Sequence, residues 1–172
     1  ALREVPRAWR SYALAQTASE LASETKMRVG VIRELAAQCR GPEEANTLAR
    51  AIGMGIGESR LPRHFSGEQV AAQLEALPPT IDREQVAFGF GLYVGRVVHA
   101  FYSFGDGMLT GFLEHTPASL RPGMACGLGA GYRLRFVDPP GRDLSSPGVR
   151  RLVGLLAAID PALEGPFRDG LG

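Results

Sequence analysis

The side chains best suited to catalysis or metal binding are scattered along the chain. They are His64, His99, His115, Cys39 and Cys126. No histidine has a partner at the spacing of a helical zinc motif such as His-Glu-x-x-His, so the sequence predicts no metal site. Neither cysteine has a local base, and no Gly-x-Ser-x-Gly elbow presents a nucleophilic serine. The sequence therefore assigns no catalytic residue and no cofactor, and it favours a role other than catalysis.

Arginines form a second group of candidates, because one follows each of three glycine clusters. These are Arg60, Arg96 and Arg133. The helix dipole favours cations near helix C-termini in any protein. If the helices stack in register, the arginines also line one edge that could hold an acidic or aromatic partner. His99 and Tyr102 follow Arg96 at three-residue steps on the same helix side, so the predicted ligand site is Arg96, His99, Tyr102 and Arg133.

Glycine clusters at 53–57, 89–95 and 127–131, with a last one at 170–172, set the spacing of the whole chain. Their starts lie 36, 38 and 43 residues apart, and each has a proline 9 to 11 residues before it. Between clusters the pattern indicates a short amphipathic helix, a proline break and a longer helix with small residues at its centre. Self-similarity at this period is typical of helical-pair repeat proteins.

The fold predicted from this pattern is all-α, with α-solenoid-like helical-pair repeats of about 36–43 residues. Residues 1–172 form a single domain of about three and a half repeats, which we expect to belong to a longer array. The predicted repeat units are 29–60, 66–104, 107–136 and 148–172.

The glycines are predicted to be structural, since each costs about 0.5–1 kcal/mol inside a helix and needs an offsetting gain. Members of a cluster that are four apart share one helix face, where missing side chains let neighbouring backbones approach closely. The glycines assigned this role are Gly53, Gly55, Gly57, Gly89, Gly91, Gly95, Gly127, Gly129 and Gly131. A phosphate-binding loop at Gly89 is disfavoured, because the preceding residues read as helix and no βαβ pattern surrounds them.

The composition of the chain limits the classes of partner that it is expected to bind. The chain has 172 residues, 45% of them hydrophobic, 22% charged, and a net charge of +1. This balance gives no reason to expect nucleic acid. Two distant cysteines and the absence of a visible signal peptide predict free thiols, buried in a reducing, cytoplasmic setting. In the most apolar window, 86–104, Arg96 and His99 interrupt what would otherwise resemble a membrane helix.

Part of the chain resembles a known group of proteins. Pro78-Pro79-x3-Arg83-x5-Gly89-x-Gly91, followed by Leu120-Arg121-Pro122-x4-Gly127-x-Gly129, resembles the uncharacterised bacterial helical proteins encoded beside enediyne biosynthesis genes. The tryptophan found before the glycine in that group is absent here. The resemblance implies a helical architecture and a bacterial origin, and it transfers no catalytic residue.

The sequence as a whole favours a non-catalytic binding or scaffolding module that contacts a protein or a small apolar partner, or another copy of itself. One alternative is a secondary-metabolism protein with a ligand or catalytic pocket between repeats, lined by Arg96, His99 and Tyr102. Another is a membrane-associated accessory subunit that uses its glycine-rich helices for packing.

Overall fold

The computed structural model describes residues 6–23, 29–60, 67–97, 106–137 and 146–172, and every regular element in these ranges is helical. The helices are α1 (Arg7–Ser23), α2 (Val29–Ala36), α3 (Pro42–Arg60), α4 (Gly67–Ala76), α5 (Arg83–Val97), α6 (Asp106–His115), α7 (Arg121–Tyr132), α8 (Pro147–Ile159) and α9 (Glu164–Leu171). Short 3-10 turns precede α7 and α9, and a π-helical turn, Arg133–Val137, follows α7. The prediction of an all-α protein is confirmed.

Side-chain caps start several of these helices. The carboxylate of Asp82 accepts hydrogen bonds from the backbone N–H groups of Glu84 at 2.9 Å and Gln85 at 3.2 Å, at the start of α5. The hydroxyl of Ser146 accepts from the backbone N–H of Val149 at 3.3 Å, at the start of α8. Such caps pair amide groups that have no partner inside the helix, so they fix where each helix begins.

Three local features complete the description of the helices. Pro122 lies in the first turn of α7, so this helix begins there and is not kinked. The second helix ends at Ala36, and Cys39 follows it in a turn. Val31 of α2 is 36% exposed, because the buried side of that helix is formed by Ile32 and Leu35.

The odd-numbered helices pack side by side in chain order, with α1 against α3, then α5, α7 and α9. Gly91 of α5 lies against Met124 and Leu128 of α7, and Gly95, one turn later, lies against Leu128 and Tyr132. Since the contacts advance in the same direction along both helices, α5 and α7 are parallel. Helices α4, α6 and α8 form a second row, in which α4 packs on α6 and α6 on α8, whereas α2 packs on α1.

The hydrophobic core lies between the two rows. Phe90 of α5 and Phe112 of α6 meet edge to face, with ring centroids 5.4 Å apart. The long helices contribute buried residues such as Ile52, Ile56 and Leu128, and all of them belong to one continuous cluster. One side of each inner helix of the row (α3, α5 and α7) is thereby committed to the core, and two further sides are committed to its neighbours in the row.

Candidate binding surface

The long helices touch through glycine. A β-carbon on Gly91 of α5 would overlap the carbonyl oxygen of Met124 in α7 and lie 2.9 Å from the backbone nitrogen of Leu128. A β-carbon on Gly127 of α7 would overlap the carbonyl oxygen of Phe88 in α5. The obstructing atoms belong to the neighbouring backbone, which cannot turn aside as a side chain can. These positions therefore have no room for any side chain.

The two glycines of a Gly-x-Gly triplet face opposite neighbours. Gly89 lies against the carbonyl group of Arg50 in α3, whereas Gly91 faces α7. In α7, Gly127 faces α5 and Gly129 faces α9. Residues two apart on a helix point about 200° away from each other, which is why one triplet serves both sides. An inner helix of the row needs glycine on each side to approach both neighbours closely.

Each of the nine glycines predicted to be structural lies close against an adjacent helix. Eight of the nine would carry a β-carbon into backbone atoms of the adjacent helix. Gly57 is the exception, because its obstacle is the ring of Tyr93, whose Cδ1 would be 2.8 Å away. Gly53 and Gly57 both face α5, so they share one side of α3, as residues four apart must.

The fourth side of the inner helices lies away from the core, and equivalent positions recur on it. The carbonyl groups of Arg50, Phe88 and Cys126 each lie against a glycine of the next long helix. Those glycines are, in the same order, Gly89, Gly127 and Gly170. Arg50, Phe88 and Cys126 follow one another at intervals of 38 residues. The residues four positions later, Met54, Leu92 and Ala130, have the same spacing. Successive helices thus present matching pairs of side chains on one surface.

Most of the side chains on this surface are apolar. We call it the outer band and define it as Met54, Phe88, Leu92, Cys126 and Ala130. Each lies two residues from a core residue of its own helix, on the opposite side. All five are half-buried, and none of them belongs to the core or to the partly buried residues that pack on it. The outer band is consequently an apolar surface separate from the core.

Arg50 lies over the outer band. Its guanidinium carbon is 4.6 Å from the ring centroid of Phe88, and its Nε donates a 2.7 Å hydrogen bond to the side chain of Gln85. Stacking on an aromatic face stabilises a guanidinium by about 0.5–1 kcal/mol at an exposed site. Arg50 is therefore held between α3 and α5 in one orientation.

Three exposed arginines stand at the C-terminal ends of α5 and α7. We call Arg96, Arg133 and Arg135 the arginine rim. A β-carbon on Gly131 would lie 3.0 Å from the backbone nitrogen of Arg96, which places Arg96 beside the end of α7. Among the residues that the structure describes, none hydrogen-bonds to these three side chains, and the guanidinium of Arg133 lies against Gly172. Leu134, between two of them, is 57% exposed.

Of the four residues in the ligand site predicted from sequence, two are in the arginine rim. Arg96 and Arg133 lie on adjacent helices, whereas His99 and Tyr102 lie outside the described residues. Near Arg96, burial raises the pKa of the Tyr93 hydroxyl, the carboxylate of Glu58 raises it further, and the Arg96 guanidinium lowers it in part.

Both thiols are free and half-buried, which is more exposed than the burial expected from sequence. Burial raises the pKa of Cys126, with Asp169 raising it further and Arg50 opposing the shift. The pKa of Cys39 is raised by burial and by Glu44, against the opposing effect of Arg10. A thiol with a raised pKa is a poor nucleophile near neutral pH. The described ranges contain no group of histidine, cysteine, aspartate and glutamate that could hold a metal ion.

The sequence did not predict that Arg10 is buried. Arg10 is 2% exposed, donates through Nε to Glu44 at 3.0 Å, and through a terminal nitrogen to the carbonyl oxygen of Gln38 at 2.7 Å. Glu44 also accepts the backbone N–H of Arg40 at 2.8 Å. This network joins α1 to the start of α3. Its only signal in the sequence was an arginine one helical turn before Leu14, on the apolar side of α1.

In the described part of the chain, no helix combines the length and the apolarity needed to cross a bilayer. Comparison with protein-family models, curated proteins and solved structures found no match. The resemblance to the proteins encoded beside enediyne genes stays a prediction.

Proposed function

We propose that this chain is a non-catalytic helical-repeat module whose outer band binds an apolar segment of a partner protein. The observation that carries the proposal is the outer band itself. It places half-exposed apolar side chains at matching positions on three successive helices, on the side away from the core. A partly exposed apolar surface of this kind is typical of a protein-binding site.

The recurrence of these positions supports a repeat architecture. Phe88 and Cys126 lie 38 residues apart, each with its carbonyl group against a glycine of the following long helix. Each repeat unit would then consist of one even-numbered helix and the odd-numbered helix that follows it, stacked on the next unit through the glycine contacts. Stacked units extend a surface in one direction, which suits an elongated partner segment.

Rigidity supports binding at this surface. The glycine contacts join backbone to backbone, so the helices cannot slide without breaking several of them at once. A surface that is already arranged before binding loses less conformational entropy when the partner arrives. Because Phe88 and Leu92 lie on a helix held from both sides, their positions are set before any partner binds.

The available chemistry supports binding over catalysis. The thiol of Cys126 is the one nucleophilic group in the outer band, and its raised pKa keeps it protonated near neutral pH. Its charged neighbours Arg50 and Asp169 have opposite effects on that pKa, so they do not activate the thiol.

Selection from a displayed library of random peptides tests the proposal. We expect peptides selected on the unmodified protein to lose about ten-fold or more in affinity for the Phe88→Gln/Leu92→Gln variant, because two apolar contacts are lost. Glutamine keeps the helix propensity of the site. Val31→Gln, an exposed apolar position on α2, is the matched control and should bind normally.

Circular dichroism melts establish that the variants are folded. Failure to select any binding peptide, or equal loss in the Val31→Gln control, would contradict a binding role for the outer band.

A further inference from the structure

We infer that the partner segment is acidic where it crosses the C-terminal ends of α5 and α7. This inference rests on the proposed function, because the arginine rim continues the outer band. Arg96 follows Leu92 by one helical turn on α5, and Arg133 follows Ala130 by three residues at the end of α7. A segment lying along the outer band would meet these arginines next.

Several arginines elsewhere in the described residues are already bonded. Arg10 pairs with Glu44, and Arg168 pairs with Glu164 at 2.8 Å. Arg121 donates to the carbonyl oxygens of Thr116 and Glu114, each at 2.9 Å. The arginine rim brings three exposed side chains together, and none of them bonds to a described residue. No carboxylate of the described residues pairs with these guanidinium groups, and a carboxylate from another molecule suits their geometry.

The negative C-terminal ends of the helices offset part of the positive charge of the rim, but not all of it. The C-terminal ends of α5 and α7 carry about half a negative charge each, which favours nearby cations. The carboxylate of Glu58 acts on Tyr93, as Arg96 does, and adds one negative charge to this region. Among the described residues, three guanidinium groups exceed that total by about one positive charge. The excess favours an anionic partner.

The apolar character of the rim indicates the kind of anion. Leu134 lies between two rim arginines and is 57% exposed. The π-helical turn that carries it leaves Arg133, Leu134 and Arg135 all facing solvent. A peptide can present a carboxylate and an apolar side chain within a few residues, whereas a phosphate backbone offers Leu134 no apolar contact. We therefore assign the rim to an acidic peptide segment that also carries leucine or phenylalanine.

Two short amphipathic peptides with the same leucine face test the inference. One carries glutamate on its polar face and the other carries lysine, and both are labelled for fluorescence anisotropy. The glutamate peptide should bind about ten-fold more tightly, and the preference should shrink at high salt. Arg96→Gln/Arg133→Gln/Arg135→Gln should abolish the preference.

A matched control removes three exposed arginines elsewhere, in Arg33→Gln/Arg40→Gln/Arg83→Gln. It loses the same net charge and should keep the preference for the glutamate peptide. Equal binding of both peptides, with binding lost in Phe88→Gln/Leu92→Gln, would retain the outer band and overturn the acidic segment. Loss of the preference in the control would also overturn it, as would tighter binding to phosphatidylserine vesicles or to a DNA duplex than to the peptide. Binding of neither peptide would overturn it as well.

Discussion

Gly91 and Gly127 face each other's helices in a reciprocal contact. Gly91 lies against the carbonyl group of Met124, three residues before Gly127, and Gly127 lies against the carbonyl group of Phe88, three residues before Gly91. Gly95 and Gly131, one turn later, make the same reciprocal contact, in which Gly95 lies against the carbonyl group of Leu128 and Gly131 against that of Leu92. Such a contact brings the Cα–H group of each glycine towards a carbonyl oxygen of the other helix, a weak attraction that recurs where helices pack closely.

The reciprocal contact predicts the effect of a single methyl group. Gly91→Ala should lower the free energy of unfolding by about 3 kcal/mol, because the new methyl meets backbone and the helices must separate. Gly154→Ala is the matched control. Gly154 lies within α8, where a β-carbon would meet nothing within 4 Å, so alanine should stabilise the protein by about 0.5–1 kcal/mol. Urea titrations measure both, and unchanged stability of Gly91→Ala would contradict the packing role.

The buried pair of Arg10 and Glu44 predicts strong coupling. Glu44→Gln should cost about 3 kcal/mol, because a guanidinium that is 2% exposed loses its counter-charge. Arg10→Met removes the charge and keeps most of the volume. If the two groups interact directly, the double variant loses less than the sum of the single losses. Strict additivity in urea titrations would show that the pair contributes no coupling.

Because the pKa values of both thiols are raised, we expect the free energy of unfolding to decline at alkaline pH. Burial raises the pKa of Cys39 and Cys126, so the folded chain holds these protons more tightly than the unfolded chain does. Their contribution is therefore complete below the ordinary thiol pKa and is lost as pH rises through the folded value. Cys39→Ser/Cys126→Ser should flatten this decline in melts across the alkaline range. An equally steep decline in the serine variant would assign it to other groups.

The pKa of Tyr93 depends on how close the Arg96 guanidinium lies. Burial raises the pKa of its hydroxyl, Glu58 adds to the shift, and Arg96 opposes it. Arg96→Gln should therefore raise this pKa further, and Glu58→Gln should lower it. Absorbance titration of the tyrosinate band measures it, with Tyr93→Phe identifying the signal. No change in Arg96→Gln would place the guanidinium away from the ring and weaken the case for a rim beside α7.

Several features of the fold followed from the sequence. The sequence predicted a break between successive helices at each proline that precedes a glycine cluster, and the structure ends one helix and begins another at those places, because a proline without an N–H cannot continue a helix. The spacing of four between Gly91 and Gly95 correctly placed both on one side of α5, since helical periodicity decides which residues share a side.

Periodicity within one helix does not say which neighbour a side meets, and the tertiary structure decided that. It showed that Gly89 and Gly91 serve opposite neighbours and that Phe88 faces away from the core. It also brought Arg10 to Glu44, 34 residues away, a pairing that no local pattern encodes. The sequence by itself determined helices with small residues at their centres. Only the packing of those helices left an apolar band and an arginine rim together on one surface, because that surface joins residues from three helices.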